Sequence, residues 1–118
     1  MARILIADRS DPEFSAALAK VLSLKGFGTV ATACSSTEAL WLRLLSDPPD
    51  LLLVDGKSAA EILEKIRCTP RVQNVRVLVV DGDHHIAQVL PGAHGYIRSP
   101  APPQTYVQAV RSVLSAGS

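Results

Sequence analysis

The stretch Pro49-Asp50-Leu51-Leu52-Leu53-Val54-Asp55-Gly56 holds four large aliphatic residues in a row, closed by an acid and a glycine. A strand of that composition is apolar on both faces, which places it at the centre of a parallel sheet covered by helices on each side. Two further runs have the same form: Ile4-Leu5-Ile6-Ala7 stops at Asp8, and Val77-Leu78-Val79-Val80 stops at Asp81. In open α/β sheets, ligands and chemistry gather outside the carboxyl ends of the strands. Three strands that each deliver a carboxylate to one edge form a pattern that packing alone does not require.

Helical patterns alternate with these runs. Ser10-Asp11-Pro12-Glu13 reads as a helix start, with Ser10 as cap, Pro12 in the first turn and Glu13 completing a capping box. That helix carries Phe14, Leu18, Val21 and Leu22 on one face and ends at Gly26. A short strand of mixed polarity near residues 29–33 suits a sheet edge. Ser35-Ser36-Thr37-Glu38 opens a second helix with Leu40, Leu44 and Leu45 inward, and Asp47-Pro48-Pro49 stops it. A third helix is expected over about 59–67, with Ile62, Leu63 and Ile66 at helical spacing. After the 75–80 strand there is room only for a short fourth helix carrying Ile86, Val89 and Leu90. A fifth strand covers 96–99. Beyond Pro100-Ala101-Pro102-Pro103, a last helix presents Tyr106, Val107, Val110 and Leu114.

Strands separated by helices pair in parallel through right-handed crossovers. The expectation is a single domain over residues 1–118: a flavodoxin-like three-layer α/β/α sandwich with five parallel strands in the order 2-1-3-4-5 and a shortened fourth helix. The strands ending in Asp8, Asp55 and Asp81 then lie side by side.

Composition agrees with one compact domain. The chain has 118 residues, 47% apolar and 19% charged, and aromatics at 4% leave an aliphatic core. A formal charge of +1 gives no electrostatic footprint for nucleic acid or an anionic membrane. No apolar stretch reaches the length of a membrane span. The opening Met1-Ala2-Arg3 runs straight into a strand with no signal-peptide region, so the expected location is the cytoplasm. Cys34 and Cys68 make neither a disulfide framework nor a metal spacing and read as half-buried reduced thiols. No nucleophile elbow, phosphate loop or dinucleotide fingerprint occurs.

At this point the sequence resembles a response-regulator receiver domain over nearly its whole length. The likeness rests on Ile4-Leu5-Ile6-Ala7-Asp8, on Pro49-Asp50-Leu51-Leu52-Leu53-Val54-Asp55, and on Gly92-Ala93-His94-Gly95-Tyr96-Ile97-Arg98-Ser99-Pro100, in that order and at near-correct spacing. The resemblance implies that Asp55 is the candidate phosphoacceptor, that Asp8 and Asp55 are candidate Mg²⁺ ligands, and that Tyr96 stands at the aromatic position that reports phosphorylation.

The departures bear on the chemistry. Arg9 stands where the family has a second acid, Asp81 where it has a hydroxyl residue, and Ser99 where it has the lysine before the proline. The Met-Pro loop after the phosphoacceptor is missing. In the family, a carboxylate takes a phosphoryl group while a divalent ion and a lysine absorb its charge, and such catalysis consists mainly of positioning and neutralisation. Mg²⁺ needs hard oxygen ligands in near-octahedral array. An arginine beside two carboxylates favours a bidentate ion pair over an open metal site. Arg98 is no direct replacement for the lysine, because adjacent strand residues point to opposite faces. Asp81 adds a negative charge beside the phosphate's place. Two unit charges about 4 Å apart repel by roughly 4 kcal/mol at an effective dielectric of 20. The summed pocket charge matches that of the usual set, but its arrangement differs.

The expected function is a signalling and protein-interaction module with impaired or absent aspartyl phosphorylation, not an enzyme. Its pocket would comprise Asp8, Arg9, Asp55, Lys57, Asp81, Tyr96 and Ser99, with Mg²⁺ binding at Asp8 and Asp55 opposed by Arg9. One alternative is a working variant phosphorylated on Asp55, with Lys57 in the loop beside it or Arg9 as the substitute cation. Another is a small metal- or ligand-binding domain using the acid-lined edge. Expected partners are a histidine kinase or a downstream signalling protein, with no direct nucleic-acid or membrane contact, and the chain would be a monomer or a weak homodimer. Without a hydroxyl residue to couple to, Tyr96 is expected in a fixed packing role. Trp41 reads as packing, His94 as a loop residue, and His84 and His85 as helix-entry residues.

Overall fold

The computed structural model describes residues 2–8, 12–34, 37–81, 93–98 and 102–116. Strands β1 (Ala2–Asp8), β2 (Gly28–Cys34), β3 (Leu51–Asp55), β4 (Arg76–Asp81) and β5 (Gly95–Arg98) form one sheet in the order β2-β1-β3-β4-β5. Every neighbouring pair is parallel. The described helices are α1 (Pro12–Leu24), α2 (Thr37–Ser46), α3 (Gly56–Cys68) and the C-terminal α4 (Pro103–Ala116), with a 3₁₀ turn at Pro70–Val72. The expected strand order is therefore present. The short helix expected around residues 86–90, together with His84, His85 and Pro100, lies outside the described residues.

Alternation along the central strands builds two cores. Ile4, Ile6, Leu51, Leu53, Leu78 and Ile97 pack with Leu18 and Leu22 of α1 and with Tyr106, Val107, Val110 and Val113 of α4. Leu5, Leu52, Val54, Val77 and Val79 face the other way, onto Leu40 and Leu44 of α2 and Ile62, Leu63 and Ile66 of α3. The sheet is thus the middle layer of three. The four aliphatics Leu51 to Val54 are almost wholly buried on both of its sides. Each such side chain contributes on the order of 1.5–3 kcal/mol by leaving water, so the run that reads as a central strand also anchors the fold. Gly26 closes α1 at φ 80, a conformation that a Cβ would strain.

Two helix expectations need correction. The third helix begins at Gly56, not near residue 59. Lys57-Ser58-Ala59-Ala60 contains no breaker, and Asp55 is a favoured residue immediately before a helix, so the chain turns from strand to helix with no loop between. The cysteines were expected to be half-buried, but Cys68, the last residue of α3, is an exposed free thiol. Trp41 does pack against the α2/α3 core, and the Lys65 ammonium lies 5.6 Å from its ring centroid.

The edge of the sheet opposite the acids is closely tied. Asp50 precedes β3 and links both neighbouring strands. Its amide donates to the Arg3 carbonyl (2.8 Å), its carboxylate accepts from the Arg3 amide (2.7 Å), and its carbonyl accepts from the Arg76 amide (3.1 Å). The Arg3 guanidinium pairs with Asp47. Helix C-termini leave their last carbonyls without intrahelical donors, and side chains at this edge supply them. Arg71 Nε donates to the Leu45 carbonyl of α2 (2.8 Å), Gln73 Nε2 to the Arg67 carbonyl of α3 (3.1 Å), and Arg76 to the Leu114 carbonyl of α4 (2.9 Å). Cations placed there also suit the negative ends of the helix dipoles.

Candidate functional site

The carboxyl edge of the sheet gathers the acids anticipated from the sequence. Asp8, Asp55 and Asp81 end β1, β3 and β4, which are consecutive in the sheet. The β1/β3 register pairs Ile4 with Leu51 and Ile6 with Leu53. Carried on by two residues, it sets Asp8 level with Asp55. On the other side Asp55 is paired with Val80, so Asp81 stands one residue higher. With parallel strands about 4.8 Å apart, Asp55 stands between Asp8 on one side and Asp81 on the other. Arg98 is opposite Asp81 on β5. Arg9 and Ser99, the residues whose identities depart most from the receiver pattern, lie outside the described residues.

The start of α3 changes how Asp55 is placed. As the last residue of β3 directly before Gly56, it occupies the N-cap position of α3. An aspartate there is favoured because a carboxylate can satisfy first-turn amides and complements the positive helix end. Lys57 is therefore not a loop residue as expected. It sits in the first turn of α3, a turn that contains no acidic residue.

Tyr96 is paired with Val79, two positions below the end of β4. It is 43% exposed and has an interaction with its surroundings, so its packing is partial. The cause lies in the geometry of a short edge strand. Ile97 takes the inward position on the α1/α4 face, and its neighbour Tyr96 faces the other way.

His94, expected as a plain loop residue, has a defined place at the foot of β5. Its amide donates to the Val77 carbonyl (2.8 Å), and its Nδ1 accepts from the Val77 amide (3.1 Å). Burial, and then the nearby Arg76 charge, lower its pKa below the usual 6.5. The sequence signal for this role was faint: a histidine one residue before an edge strand.

Comparison with solved structures bears on the fold. A response regulator from Desulfuromonas acetoxidans superposes with a TM-score of 0.83 at 18% identity, covering 98% of each chain. A response regulator receiver protein from Burkholderia phymatum gives 0.74 at 20% identity, over 98% of this chain and 96% of that one.

The chain has the receiver fold.

NtrX from Brucella abortus, solved in complex with ADP, matches with a TM-score of 0.79 at 17% identity over 98% of this chain. Only 26% of NtrX is covered, so the chain spans about a quarter of that protein. At these identities the likeness is one of fold. No protein-family model matches the sequence, and no curated protein does. Among the described residues, no helix is long and apolar enough to cross a membrane.

Proposed function

We propose that this chain is a receiver domain of two-component type signalling that works by binding protein partners in the cytoplasm, with Asp55 phosphorylated poorly or not at all. The observation that carries the reading is the set of three strand-ending acids on adjacent strands of a receiver fold, in a sequence with Arg9, Asp81 and Ser99 at the remaining pocket positions. Two of the groups that neutralise a phosphoryl group in receivers, an acid for the metal and a lysine for the phosphate, are absent from the sequence. Asp81 adds repulsion where a hydroxyl would serve. A carboxylate in front of a helix has a structural task open to it, capping, that competes with a chemical one. On this reading the chain has no enzymatic activity of its own, and a histidine kinase or a downstream signalling protein is the partner.

One observation favours a second reading. Lys57 sits in the first turn of α3, where a helix by itself disfavours a cation. A phosphorylated Asp55 beside it would reverse that preference, which makes Lys57 the substitute for the missing lysine.

Isothermal titration separates the two. The pseudo-receiver binds neither Mg²⁺ nor, with Mg²⁺ present, beryllofluoride, whereas tight binding of both establishes the variant phospho-switch. The double variant Arg9→Asp with Ser99→Lys should acquire measurable Mg²⁺ affinity. If it folds and still ignores the ion, this description of the pocket is wrong.

A further inference from the structure

The junction between β4 and β5 is closed at its foot by a side chain. The β4/β5 ladder proper begins with Leu78 opposite Gly95. One rung lower the pairing continues through His94: its amide donates to the Val77 carbonyl, and its ring accepts the Val77 amide proton at Nδ1. An imidazole accepts at Nδ1 only while that nitrogen is unprotonated, because both ring nitrogens of the imidazolium are donors. Val77 is 1% exposed, and a buried amide left without its acceptor is costly.

We propose that His94 is a proton-released clip, holding the foot of β5 to β4 while neutral and letting it go when protonated. The surroundings fit. From β4, the charged group acting on the ring is Arg76, which opposes a second positive charge beside it. The guanidinium of Arg76 is itself held by the Leu114 carbonyl of α4. From α4, the residue that reaches the junction is the apolar Val113, whose Cγ2 would lie 3.2 Å from a Cβ built on Gly95. The Asp50 carboxylate is engaged by the Arg3 amide of β1, on the side of β3 away from β5, and so does not offset an imidazolium.

Loosening the foot of β5 would spread to the strand that carries Tyr96 and leads to Ser99, and to α4 through the close Gly95–Val113 approach. Acidification would thereby alter the β5/α4 side of the molecule without any event at the carboxyl edge. The direction follows from the lowered pKa of His94. The unfolded chain takes up the proton first, so the clip's contribution is complete above about pH 6.5 and declines as pH falls through the folded-state value below it.

Hydrogen exchange of the Val77 amide, followed by NMR on the full chain and expressed as a protection factor, tests this. In the wild type, protection should fall as pH drops below about 6.5, by up to about tenfold per unit of pKa difference, in step with the His94 titration. His94→Asn presents an amide oxygen near the place of Nδ1 and does not titrate, so its Val77 protection should be independent of pH. His94→Ala should show low protection throughout. If His94→Asn loses protection with acid as the wild type does, or if the wild type keeps full protection with the ring protonated, His94 is not the clip.

Discussion

Single side chains at the foot of the sheet do work that the sequence did not announce. Arg76 could be read only as one polar residue at the start of an apolar run, yet its guanidinium supplies a donor to the last turn of α4 and its charge bears on His94. Replacing it with methionine keeps much of the stem and removes both effects. Arg76→Met should lower stability in urea denaturation by about 1 kcal/mol, the usual size for one lost hydrogen bond. The same change should raise the His94 pKa as followed by NMR, because the opposing charge is gone. A variant with unchanged stability and an unmoved His94 titration would show that Arg76 does neither. Asp50 and His94 were illegible for the same reason. Their partners are backbone groups of strands distant in the chain, and no periodicity in the sequence reports such pairings.

Strands and helices were far easier to anticipate. Runs of consecutive aliphatics, Leu51 to Val54 above all, specify burial on two faces, and the stop signals after α1 and α2 fall where the helices end, while the expected caps at Ser10 and Ser35 lie outside the described residues. The start of α3 was the exception. Gly56 looked like a loop residue because glycine usually marks a turn, whereas at the first helical position, behind an aspartate, it causes no break. The consequence concerns Asp55. If its main task is to cap α3, Asp55→Ala should destabilise the protein by about 1 kcal/mol in denaturant unfolding, while Asp55→Asn, an equally good cap, should be near neutral. Equal losses in both would mean that the carboxylate charge matters and that capping does not explain it. Tyr96 follows the alternation of β5: Gly95 and Ile97 face the α1/α4 layer, and Tyr96 faces the other way.

For the whole molecule, the two edges of the sheet have divided tasks. One edge is stapled by Asp50, by the Arg3–Asp47 pair and by the side chains that close three helix ends. The other brings Asp8, Asp55 and Asp81 together at the strand ends, as the order of apolar runs in the sequence implied. Around that second edge the sequence places Arg9, Asp81 and Ser99. The decisive measurement is the intact mass of the wild-type chain after incubation with Mg²⁺ and a small acyl-phosphate donor. A receiver fold with this pocket should keep its unmodified mass. A gain of one phosphoryl group per chain, abolished by Asp55→Asn, would mean that the edge still performs the transfer.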